Sequence, residues 1–97
     1  MKAVRYHQFG GPEVLRYEEV PDPQLPPDGL LVKVEAAGVN FSDLMRRQGS
    51  YTGRDALPAQ IGLEAAGTVV AVGAKARGFK RGDRVLCRAH RGCQAEY

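Results

Sequence analysis

The sequence predicts a small, mostly β fold, a partly open barrel with short helices. Short apolar stretches recur along most of the chain, and turn residues separate them at close intervals. No long amphipathic segment is available to act as the crossover helix that a parallel sheet requires. With 97 residues, 43% of them hydrophobic and 26% charged, the chain has the make-up of one globular domain with one core. A chain of this size buries only about 60 to 65% of its unfolded surface, so its stability is marginal unless a partner domain covers part of it.

The elements follow from local chemistry. Met1 to His7 alternates and meets Gly10, Gly11 and Pro12, which makes it a short strand ended by a turn. Val14 to Val20 is a second strand. Pro21, Pro23, Pro26 and Pro27 lack the amide hydrogens that a ladder needs, so the stretch closing on Asp28-Gly29 is an extended connection. From Leu30 to Val39, Leu30, Val32 and Val34 alternate with Leu31, Lys33 and Glu35, the period of a half-buried strand. Asn40-Phe41-Ser42-Asp43 supplies an N-cap with an acid three residues on, and Leu44 to Gln48 continue a helix that Gly49 ends. Ser50 to Gly62 shows no period and reads as loop. Ala65 to Val72 is a strand of small and β-branched residues, Lys80-Arg81-Gly82-Asp83 is a turn, and Arg84 to Arg88 is the next strand. Gln94 to Tyr97 reads as one more strand after the loop Ala89 to Gly92.

Composition removes several function classes. There is no apolar run of membrane-spanning length, and Met1 to Arg5 lacks the features of a secretory signal. A soluble, cytoplasmic protein without membrane partners is expected, with Cys87 and Cys93 as reduced thiols rather than a bridge. The net charge of +3 is concentrated in Lys75, Arg77, Lys80, Arg81, Arg84, Arg88 and Arg91, which face only Asp83 in the same stretch. Phe79 is the lone aromatic there, so solvated turn charges explain the run better than nucleic-acid binding does.

Gly62-Leu63-Glu64-Ala65-Ala66-Gly67 has the glycine spacing of a phosphate loop, but Thr68 follows where a lysine would be needed. No dinucleotide fingerprint of glycines joins a strand to a helix anywhere in the chain. Cys87, His90 and Cys93 are competent zinc ligands three residues apart in turn. They lack a fourth ligand and a Cys-x-x-Cys knuckle, which leaves ordinary strand and loop residues as the better reading.

The succession Gly38-Val39-Asn40-Phe41-Ser42-Asp43, then Gly62 to Gly67, then Gly82-Asp83-Arg84-Val85 resembles the N-terminal region of medium-chain dehydrogenase/reductases over essentially the whole chain. Phe9-Gly10-Gly11-Pro12-Glu13-Val14-Leu15 and the run Asn40 to Gly49 with Tyr51 are similar to the quinone oxidoreductase branch. The resemblance implies that residues 1–97 are a GroES-like, substrate-side domain, the N-terminal part of a longer oxidoreductase. In whole members a nucleotide-binding Rossmann domain follows, and the last segment of the chain returns to complete the barrel. Zinc-dependent members carry a cysteine where Asn40 stands and a histidine where Leu63 stands. Neither residue here ligates zinc, and no room remains between Val85 and Gln94 for a four-cysteine structural lobe, so a zinc-free enzyme is implied.

The implied chemistry is transfer of hydride from NADPH to a quinone or enone. NADPH would be held chiefly by the following domain, and the 97 residues alone would be inactive. Asn40 and Tyr51 are the implied cofactor-side residues, and Phe41, Leu63 and Glu64 the implied substrate-cleft residues; no catalytic residue is assigned. A helix cap for Asn40, a loop anchor for Tyr51, a helix-start role for Asp43 and a structural role for Glu64 stand beside those readings. A free-standing GroES-like interaction module is the alternative function. Self-association through an unpaired strand edge is expected of the chain by itself.

Overall fold

Glycine placement and short alternating runs divide the chain between two antiparallel three-stranded sheets. The computed structural model describes all 97 residues. Lys2–Tyr6 (β1) and Leu15–Glu19 (β2) pair without a break from Lys2 opposite Glu19 to Tyr6 opposite Leu15. Pro12–Val14, read from sequence as turn and strand start, forms a single 3-10 turn between them, with the proline's fixed φ at its first position. Ala3 and Tyr6 point to opposite faces of β1 and both are fully buried, so β1 is covered on two sides. Tyr6 packs with Val14, Ala59 and Ile61, and Val4, Phe9 and Leu15 close around that cluster.

Ala59–Gln60 (β4) adds to the free edge of β1 and gives the order β2-β1-β4. This corrects the reading of Ser50 to Gly62 as loop throughout. Two residues are too few to show a period, and only pairing with Arg5 and Tyr6 makes them a strand.

Leu30–Ala37 (β3), Glu64–Val72 (β5) and Arg84–Arg88 (β6) form the second sheet in the order β3-β5-β6. On β5 the alternation is regular, with Ala65, Gly67 and Val69 buried. Gly67 lies so close to β3 that any Cβ there would collide with the Lys33 carbonyl. On β3 the register shifts between Leu31 and Val32, so Leu30 and Leu31 are both half-buried where strict alternation would have exposed one of them.

Phe41–Gln48 (α1) is the one α-helix. The Asp43 carboxylate accepts from the Asn40 backbone N–H at 2.8 Å, and Gly49, at φ 76°, ends the helix with its N–H on the Arg46 carbonyl. Asp43 and Arg47 share the buried face. Arg47 donates through Nε to the Gly10 carbonyl at 3.2 Å while its own carbonyl accepts from the Gly10 N–H at 3.0 Å. Those two bonds fasten α1 to the Phe9-Gly10-Gly11 turn.

The expected strand at Gln94 to Tyr97 is a single bridge, Ala3 opposite Ala95. The Val4 N–H donates to the Gln94 carbonyl and the Glu96 N–H to the Lys2 carbonyl, but the Glu96 carbonyl then turns to the Val34 N–H of the other sheet. A segment that divides its bonds between two sheets cannot extend a ladder along either. It does join the sheets, and the result is an open, mostly β body with no closed barrel.

Candidate functional site

Asp55 is the residue around which the site is built. Its side chain is 6% exposed. The Tyr6 hydroxyl donates to it at 2.6 Å, Arg46 Nη1 at 2.9 Å and Arg91 Nη1 at 3.3 Å. A buried carboxylate needs such partners, and two guanidinium groups with one phenol provide them. Burial, followed by the hydrogen bond to Asp55, pushes the Tyr6 phenol well above its ordinary value, so it stays a neutral donor.

Asp55 fixes Arg46, and Arg46 in turn supports Tyr51. The Arg46 guanidinium lies over the Tyr51 ring, 4.3 Å from its centroid. Tyr51 follows the glycine that ends α1, so the helix terminus and the cation together set where the ring stands. Arg46, Tyr51 and Leu63 line an open cleft of about 500 Å³ together with Arg88, Ala89 and His90. The Leu63 carbonyl accepts from the Ala89 N–H at 2.8 Å, which holds the start of β5 to the end of β6 and shapes the cleft floor.

Asn40 and Glu64 form a separate pair. Asn40 Nδ2 donates to the Glu64 carboxylate at 3.2 Å, and the Gly38 N–H donates to the Glu64 carbonyl at 3.1 Å. Glu64 lies where a side chain on Gly38 would sit, which explains the glycine. Asn40 precedes α1 and Tyr51 follows it, and eight residues of helix advance about 12 Å. The two implied cofactor-side residues therefore stand at opposite ends of one helix, linked through the consecutive residues Leu63 and Glu64. Phe41 projects into solvent at 76% exposure, beside Val39 at 72%.

A second cleft of about 560 Å³ opens between β3 and β6, with Leu30, Val32, Val34, Phe79, Val85 and Cys87 in its mostly apolar wall. Cys93 also reaches this cleft. Burial, then the nearness of Cys87, raises its thiol above the usual range, while the Cys87 thiol donates to the Ala65 carbonyl. Both cysteines are free. His90 lines the other cleft, and nowhere do three His, Cys, Asp or Glu side chains gather in a way that could hold a metal ion.

Sequence reasoning missed Tyr6, Arg46, Asp55 and Arg91. The available signal was Asp55, the lone acid of the loop Ser50 to Gly62. The Gly82-Asp83-Arg84-Val85 motif proves to be turn architecture. Asp83 accepts from the Lys80 backbone and ammonium, and its own carbonyl accepts from the Val69 N–H.

The alcohol dehydrogenase GroES-like domain family matches residues 26–97. The quinone oxidoreductase of Mus musculus is 44% identical over 90 residues, 90% of this chain and 27% of the mouse protein. An NAD-dependent alcohol dehydrogenase of Sulfolobus acidocaldarius is 43% identical over 91 residues, 89% of this chain and 26% of that protein. The crystal structure of the Escherichia coli quinone oxidoreductase complexed with NADPH superimposes with a TM-score of 0.92 at 34% identity, over 99% of this chain and 29% of that one. The chain thus spans about a quarter of the length of the relatives it matches. From its two-sheet body, from α1 with its capped ends and from the match over residues 26–97, the chain belongs to the alcohol dehydrogenase GroES-like domain family.

Proposed function

We propose that this domain is the acceptor side of an NADPH-dependent, zinc-free reductase of quinones or enones, acting with a nucleotide-binding domain in the same protein. The observation that carries the reading is the cleft walled by Tyr51 on its Arg46-Asp55 support and by Leu63. A planar ring held by a buried network, facing an open cleft, fits a flat conjugated molecule such as a nicotinamide or a quinone. NADPH would supply the hydride when bound. Tyr51 would limit how the two flat partners stack, Leu63 would keep water from the reacting faces, and the Asn40-Glu64 pair would fix the far end of the helix.

The similarity to an alcohol dehydrogenase makes the metal the deciding point. Asn40 uses its amide to donate to Glu64, and Leu63 has no ligand atom. Cys87 and Cys93 line the apolar cleft and His90 the other, and the three do not form a metal-holding group. All of this favours reduction without zinc over alcohol oxidation with it. The free thiols also suit a cytoplasmic setting.

The test is oxidation of NADPH by the protein that carries this domain with its nucleotide-binding domain, assayed with phenanthrenequinone and with an alkyl vinyl ketone, alongside metal analysis. Reduction that survives a chelator, and a Tyr51→Ala loss of about tenfold or more in kcat/KM, are expected. Stoichiometric zinc lost on Asn40→Ala, with chelator-sensitive alcohol oxidation, would overturn the proposal.

A further inference from the structure

We propose that the Tyr51 cleft holds an anionic group, a carboxylate or phosphate, carried by the acceptor itself. The inference rests on the acceptor-side reading above and narrows its substrate class. Of the six residues that line the cleft, Arg46, Arg88 and His90 bear nitrogen donors and none is acidic. The buried carboxylate behind it, Asp55, is one negative charge shared between Arg46 and Arg91. Positive charge therefore remains even before Arg88 is counted.

The Arg88 side chain makes no ion pair or hydrogen bond within the chain. Its partner across the ladder is Glu64, whose carboxylate is engaged by Asn40 instead. Lys80 and Arg84 of the same stretch have carboxylate partners, Asp83 and Glu35, whereas Arg88 at the cleft has none. A cleft lined by one sign of charge draws in ions of the other, and a guanidinium fork fits a carboxylate or phosphate in two-point contact. Arg46 is already held by Asp55 and Tyr51, so little side-chain freedom is lost when it meets an anion. The Tyr51 ring beside these donors offers a stacking face, which makes a flat conjugated carbonyl compound with a carboxylate or phosphate substituent the matching ligand.

Two probes of the same shape test this by NMR titration of the protein that carries this domain with its nucleotide-binding domain: anthraquinone-2-carboxylate and 2-(hydroxymethyl)anthraquinone. The carboxylate should bind about tenfold tighter, moving the amides of Tyr51, Leu63, Arg88 and His90. Arg88→Gln and His90→Gln, both at exposed positions, should each lower that ratio, and Arg84→Gln, an equal loss of charge away from the cleft, should leave it unchanged. Equal affinity of the two probes at these amides would overturn the anion site and leave the acceptor-side reading standing. No binding of either probe would overturn both. Inorganic pyrophosphate that moves these amides where the carboxylate does not would assign the anion to the cofactor and overturn its assignment to the acceptor.

Discussion

At the residue scale, Tyr6 and Asp55 show how a site depends on a side chain that never touches a ligand. The folded state raises the Tyr6 pKa, so its contribution to stability is complete below the unfolded value of about 10 and declines as pH rises beyond it. Tyr6→Phe should therefore flatten the alkaline loss of stability and cost about 1 to 2 kcal/mol at neutral pH, because Asp55 loses a donor. Urea unfolding between neutral pH and pH 11 measures both effects, and identical alkaline limbs in the two proteins would refute the assignment. Glu64 gives a contrasting case. It is exposed and already accepts from Asn40, so Glu64→Gln should change kcat of the proposed reductase by less than about tenfold and leave its pH profile in place, whereas losing a true general acid costs about a hundredfold or more. A pH limb that disappears in the variant would make Glu64 the proton donor.

Legibility in the sequence divides along the same line. Asn40, Asp43 and Gly49 were readable because capping acts over three or four residues and each residue type has a local reason to be there. Asp55 was not, because its partners Tyr6, Arg46 and Arg91 come from three distant segments and no local period marks them.

At the element scale, β3 was legible from its alternation and β5 from its small and β-branched residues, whereas β4 and the Gln94 to Tyr97 segment depend on bonds to strands far away in sequence. The close approach of β3 and β5 at Gly67 is itself a testable feature. Gly67→Ala would place a methyl against the Lys33 carbonyl, which cannot yield without moving a strand, and should cost about 3 kcal/mol. Gly78 has φ 80° with nothing near its would-be Cβ, so Gly78→Ala meets only the left-handed backbone penalty of about 1 kcal/mol. Chemical denaturation of both variants gives the ranking. Equal losses would mean that β3 shifts freely and that the bulges flanking the contact, between Leu31 and Val32 and between Val34 and Ala36, absorb the methyl.

At the scale of the whole molecule, the apolar groups left open outweigh the core. Only 14 of 97 residues are buried, while Leu86 is 83% exposed and the β3-β6 cleft keeps its mostly apolar wall open. β6 pairs with β5 alone, so its second edge offers free backbone donors and acceptors beside that apolar surface. Edge and apolar face together favour association, either with a covering domain or with further copies of the chain. The 97 residues by themselves should therefore melt in a concentration-dependent way, sediment as more than a monomer at high concentration, bind NADPH weakly and reduce no quinone. A covering domain that binds only the folded state adds stability by mass action, about 2.7 kcal/mol at a hundred times its dissociation constant, a large share of the margin in a domain with so small a core. Adding the nucleotide-binding domain of the proposed reductase in trans should accordingly raise the melting temperature and lower the sedimentation coefficient of the self-associated fraction. A sharp melt, independent of concentration and unmoved by that addition, would instead identify a self-sufficient module whose open face has a different purpose.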